Sequence, residues 1–232
     1  MMSIRALPVL FLTLSSLTGC QAVRSSQRAV EVPQRALAEA TQVKADATPL
    51  EKANAGAIEQ TTQTTGYDGS YVKLDYPNGD VPPSTGVCAD VVVRAFRKAG
   101  IDLQKELHED MKKNFAKYPQ KWGARKPDTN IDHRRVPNLM TWFDRQSKAR
   151  PITNDAKDYL PGDVVAWDLD KGLPHIGMVS KIKVDGAERY AVVHNIGSGA
   201  RIEDVLFAWK ITGHYRYFEQ KQDTTDKSRP RR

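Results

Sequence analysis

The sequence is poor in cysteine and nearly free of long apolar runs. Two cysteines, Cys20 and Cys88, occur in 232 residues, which excludes a disulfide-dense scaffold and a zinc site built on four thiolates. The one sustained apolar stretch, residues 6–17, falls short of the roughly 20 residues that span a bilayer. Residues 21–66 contain no aromatic side chain and no sustained apolar stripe, so they offer a core no large side chains. Charge of one sign is not concentrated either: 35 Lys and Arg against 28 Asp and Glu give +7, with both signs interspersed up to the basic tail at 227–232. That balance suits anionic envelope material better than a nucleic-acid groove, and no nucleic-acid partner is expected.

What is present begins with an export signature. Met1-Met2-Ser3-Ile4-Arg5, the short apolar run and Leu17-Thr18-Gly19-Cys20 have the positive start, hydrophobic middle and small residues of a signal peptide over 1–20. The last four residues resemble the lipobox of bacterial lipoproteins, a resemblance that implies lipidation of Cys20 and attachment to a membrane. Gln21 follows where an aspartate would favour inner-membrane retention, so a periplasmic protein anchored to the outer membrane is expected, with the inner one as the alternative. With Cys20 acylated, Cys88 is left as a free thiol in an oxidising compartment; a Cys20–Cys88 bridge is the rival reading.

Composition divides the remainder into a flexible tether over 21–66, a domain over 67–219 and a basic disordered tail over 220–232. Within the domain, apolar spacing predicts helices over 85–98, 103–117 and 136–146, the last with Asp132 as a possible cap and Pro137 in its first turn. Beyond Pro161-Gly162-Asp163 the pattern alternates, predicting strands over 164–169, 175–184, 189–195 and 210–218. Helices followed by antiparallel strands make an α+β fold, with the Cys88 helix covering one sheet face.

Cys88, in Ser84-Thr85-Gly86-Val87-Cys88-Ala89-Asp90, falls in the first turn of its helix, where the helix N-terminus lowers a thiol pKa. An inert buried cysteine is the plain alternative. Asp185-Gly186 marks a hairpin turn between His175 and His194, and pairing across it sums to about 371, making the two histidines diagonal neighbours on one face. Asn195 then points the other way, and a one-residue slip would exchange it for His194. A thiol, a base and an orienting group in this arrangement suit nucleophilic acyl transfer, with the Cys88 N–H as an oxyanion donor. Zinc held by Cys88, His175 and His194 is the rival, without an evident fourth ligand. In Asp132-His133-Arg134-Arg135, the arginines could fork a substrate carboxylate or form a capping and salt-bridge network; His133 is a secondary candidate. His214 and Arg216 read as structural, and His108 receives no role.

The motifs Gly86-Val87-Cys88, Pro161-Gly162-Asp163-Val164-Val165-Ala166-Trp167, His175-Ile176-Gly177-Met178-Val179 and Val193-His194-Asn195 resemble the NlpC-type cell-wall peptidases of the papain-like superfamily. The resemblance implies a papain-like fold, a Cys88, His175, His194 triad and a tyrosine ahead of the cysteine, loosely matched by Tyr76. Where that pattern has aspartate and serine flanking the cysteine, this chain has Val87 and Ala89, while Asp90 follows. Residues 76–90, 130–139, His194-Asn195-Ile196-Gly197 and Gly213-His214-Tyr215-Arg216 are similar to the bacterial domain-of-unknown-function family 1287. The expectation is a cofactor-free, monomeric cysteine peptidase or amidase cleaving amide bonds of peptidoglycan stem peptides. An acyltransferase or amidase acting on lipid or another envelope amide, and an inactive wall-binding lipoprotein, are the alternatives.

Overall fold

The structure, a computed structural model, describes residues 28–220; the signal, Cys20 and all but the first residue of the basic tail lie outside them. A strand of two residues, β1 (Arg28–Ala29), leads into helices α1 (Gln34–Thr41) and α2 (Pro49–Gln63). Then come α3 (Cys88–Lys98), α4 (Leu103–Asn114), a 3-10 turn at Asp132–Arg134 and α5 (Val136–Arg145). Strands β2 (Val164–Asp168), β3 (Pro174–Lys183), β4 (Tyr190–Asn195), β5 (Ala200–Asp204) and β6 (Lys210–Tyr215) complete the chain. They form one antiparallel sheet in the order β1-β5-β4-β3-β2-β6, so the class is α+β as expected.

Period-two alternation divides the sheet into two faces. Val164, Ala166, Ile176, Met178, Val193 and Ile202 pack against Val91, Val92, Ala95 and Phe96 of α3 in the main core. Val165, Trp167, Val179 and Val192 face the other way, where Tyr159, Val205 and Leu206 close a second, smaller core. Asp163, in the turn before β2, binds both Arg216 (2.7 Å) and His214 (2.9 Å), so those two residues fasten the end of β6 to that turn.

The expected tether is corrected over 28–66. Thr48 caps α2, with Glu51 N–H donating to its hydroxyl at 3.2 Å and Thr48 N–H donating to Glu51 at 2.8 Å, and Pro49 sits in the first turn. Ala53, Ala57 and Ile58 are fully buried in the main core. The buried face is made of small residues, which is why hydropathy misses it. Gly56 is required for the approach: a Cβ there would lie 2.6 Å from Lys98 Cβ on α3. The predicted cap is corrected as well, since Arg135 is the N-cap of α5 and Asp132 opens the preceding turn. Among the described residues no helix is long and apolar enough to cross a membrane.

Candidate active site

Cys88 is the first residue of α3, a free thiol, 5% exposed. Asp90 fixes that helix end: its carboxylate accepts from the Val87 N–H at 2.6 Å and from Arg134 Nε at 3.0 Å. Arg134, buried, also donates to the carbonyls of Ser70 (3.1 Å) and Asp68 (2.8 Å), tying the segment ahead of the helix to Asp90. From the sheet, Asn195 Nδ2 donates to the carbonyls of Gly66 (3.1 Å) and Gly86 (2.9 Å). Between these ties sits Tyr67, whose phenol lies against the Cys88 thiol. Burial first, then the thiol's charge and hydrogen bond, push that phenol up to about 12.

The thiol reaches the plane of the sheet. Val179 N–H donates to Asp163 on the β2 side at 2.8 Å, so by alternation Ile176 N–H faces β4. The β3–β4 ladder pairs Met178 with Val193 and Val179 with Val192, while the Ile176 N–H at its end turns toward the sulfur of Cys88 and favours its thiolate. Sulfur thus occupies the open end of that ladder, one residue from His175. No hydrogen bond joins the thiol to either histidine.

His175 and His194 share the sheet face opposite α3, with Trp167 paired across from His175 and Trp209 against both rings. Gly177, between His175 and Val179 on that face, keeps the space open, since a Cβ there would lie 3.0 Å from His194 Cβ. His175 Nε2 and His194 Nδ1 are 2.9 Å apart, and His194 Nε2 lies 2.9 Å from Glu203 on β5. The hydrogen bond from His194 holds the Glu203 carboxyl below its usual range, so at neutral pH it only accepts. His194 therefore donates from Nε2, and in the uncharged pair its Nδ1 accepts from His175 Nε2–H. That leaves His175 Nδ1 with a lone pair and no hydrogen bond. Glu203 thus chooses the tautomer of a ring it does not touch.

Burial reverses the expected ionisation. It pushes the Cys88 thiol up to about 11, against hydrogen bonds from the N–H groups of Ile176, Ala89 and Cys88 that favour thiolate. His175 is driven down to about 3 by burial and by His194. The resting site is therefore a neutral thiol and a neutral imidazole; desolvation outweighs the helix terminus.

Cys88, Asp90, Arg134 and Asn195 meet at the start of α3, whereas His175 and His194 lie across the sheet on its other face. Tyr76 joins neither group: it is on the surface, bonded to Glu109 at 3.0 Å and edge-on to His108. His133 is buried without a partner for Nδ1, and burial holds it at about 4. Arg135 bonds Asp132 at 3.1 Å and faces a separate cleft. Tyr67 and Glu203 escaped the reading of the sequence, although Tyr67 is the first aromatic after the aromatic-free stretch. Among the described residues no cluster of three or more His, Cys, Asp or Glu side chains is disposed to hold a metal ion.

A family profile described as "Domain of unknown function (DUF1287)" matches residues 54–217. "Uncharacterized protein YijF" of Escherichia coli (strain K12) is 58% identical over 166 residues, which cover 70% of this chain and 79% of that protein.

Proposed function

The chain belongs to the DUF1287 family, and we propose that it is a cell-envelope cysteine hydrolase cleaving amide bonds of peptidoglycan stem peptides. The observation that carries this reading is the lone pair on His175 Nδ1, left unbonded by a relay ending at Glu203, in a residue whose neighbour Ile176 turns its N–H toward the Cys88 sulfur. The chain order of cysteine, histidine, histidine and the α3-on-sheet packing support a papain-like, NlpC-type architecture. In the proposed reaction His175 Nδ1 takes the thiol proton as Sγ bonds the substrate carbonyl carbon. The imidazolium returns that proton to the leaving amine as the C–N bond breaks, and water then hydrolyses the thioester. Hydrogen bonds of this kind tighten once substrate excludes water. In this reading the reaction is periplasmic, on a monomer tethered by lipid at Cys20 to the outer membrane, with no cofactor; the export signature supports the location.

Mass spectrometry of muropeptides incubated with the soluble domain and its Cys88→Ala variant tests the reading. New amide-cleavage products with the first and none with the second are expected; the same products from both would refute it. The protonated, buried resting thiol favours one second reading, a wall-binding lipoprotein whose relay does not turn over. Retained wall binding with no products from either protein would select it.

A further inference from the structure

Arg134 and Arg135 are consecutive yet serve different places. Arg134 is spent on Asp90 at the start of α3. Arg135 lies over the ring of Trp122, 4.7 Å from its centroid, at the edge of a cleft of about 590 Å³. Tyr71, four residues beyond the Tyr67 that covers Cys88, lines the same cleft, its hydroxyl donating to Asp128 at 3.1 Å. The cleft is therefore joined to the nucleophile by the segment 67–71 and by the arginine pair.

Its lining is unbalanced in charge. Arg125, Lys126 and Arg135 face it with one carboxylate, Asp128. Asp128 already accepts from Tyr71 and from the Asn130 backbone (2.8 Å) and side chain (2.9 Å). Arg135 is shared with Asp132. Arg125 and Lys126 are exposed and enter no ion pair or hydrogen bond among the described residues. Trp122, 58% exposed, is held at φ 57 beside them, presenting an aromatic surface to solvent. Two unpaired cations beside an aromatic wall match a carboxylate attached to a bulky, partly apolar group.

We infer that this cleft is a subsite for a free carboxylate of the substrate, with Arg125 and Lys126 supplying the charge and the Trp122–Arg135 stack one wall. The inference rests on the substrate class proposed above and adds which part of the stem peptide is read. The test is calorimetric titration of the full chain carrying Cys88→Ala with a γ-D-glutamyl stem tripeptide bearing free carboxylates, and with the same peptide amidated. The carboxylate form should bind at least about tenfold more tightly, and an Arg125→Ala/Lys126→Ala double change should abolish the difference. Equal affinity for the two peptides, no binding of either, or a preference that survives the double change overturns the inference. Carboxylate-selective binding without cleavage by the unmodified protein removes the catalytic reading and leaves the subsite. Cleavage without discrimination does the reverse.

Discussion

Glu203 is the group whose removal tells most about the site. It touches neither the thiol nor His175, yet its ionised carboxylate holds a proton on His194 Nε2 and, in the uncharged pair, thereby puts the proton of His175 on Nε2. In Glu203→Ala the buried His194 Nε2–H loses its acceptor. An unmet buried donor costs about 1–3 kcal/mol, so we take about 2 kcal/mol, which in a domain of this size lowers Tm by about 4–8 °C. His194 is then free to carry its proton on Nδ1 and donate to His175 Nε2. That places the His175 proton on Nδ1 and removes the proposed base. Nitrogen-15 spectra of the imidazoles at neutral pH read this directly. The unmodified protein should show His175 protonated at Nε2 alone, and Glu203→Ala a loss of that pure tautomer together with the drop in Tm. Glu203→Gln, which can still accept from His194, should keep more of the stability than Glu203→Ala. A His175 protonated at Nδ1 in the unmodified protein, or a Glu203→Ala protein unchanged in both measurements, would refute the relay as drawn.

Cys88 should alkylate slowly at neutral pH: a thiol pushed up to about 11 has a thiolate fraction about 300-fold below that of free cysteine near 8.5. Iodoacetamide rates measured from pH 6 to 10 should therefore climb through the top of that range, and a plateau by pH 7.5 would show the thiolate to be stabilised after all. Ile58→Ala, in the stretch whose composition suggests tether, should cost about 2–5 kcal/mol, because Ile58 is fully buried in the main core. Urea unfolding checks this, and a change within error would return α2 to the tether.

The parts of the fold that were legible in the sequence are those where periodicity and burial agree. The spacing of Cys88, Val91, Val92, Ala95 and Phe96 marks α3, and four of the strands after Gly162 announce themselves by alternation. Turn chemistry at Asp185-Gly186 implies a pairing sum of 371; Met178 with Val193 and Val179 with Val192 have that sum, whereas Lys183 with Tyr190, nearer the turn, sums to 373 across an irregularity between Val179 and Lys183. Elements with weak signals were lost. β5 is five residues, Ala-Arg-Ile-Glu-Asp, preceded by Gly197 and Gly199, and without it Glu203 has no place beside His194. α2 buries alanine and glycine rather than large side chains, so only its Thr48–Glu51 capping pattern could have marked it. Ionisation was not legible either, because a helix terminus is visible in sequence while the desolvation opposing it depends on how the whole chain closes over the thiol.

The register of β4 carries more than the choice of a partner for His175. His194 faces the Trp167 side and bonds His175 and Glu203, whereas Asn195, its neighbour, faces the helices and holds the carbonyls of Gly66 and Gly86. One residue pair thus orients His175 on one face and anchors the Tyr67 segment on the other. A slip by one position would put an amide where the relay needs a ring with two nitrogens. It would also put an imidazole where two carbonyls need one amide donor group. Histidine and asparagine are therefore not interchangeable here, and their order along the strand is set by the opposite demands of the two faces.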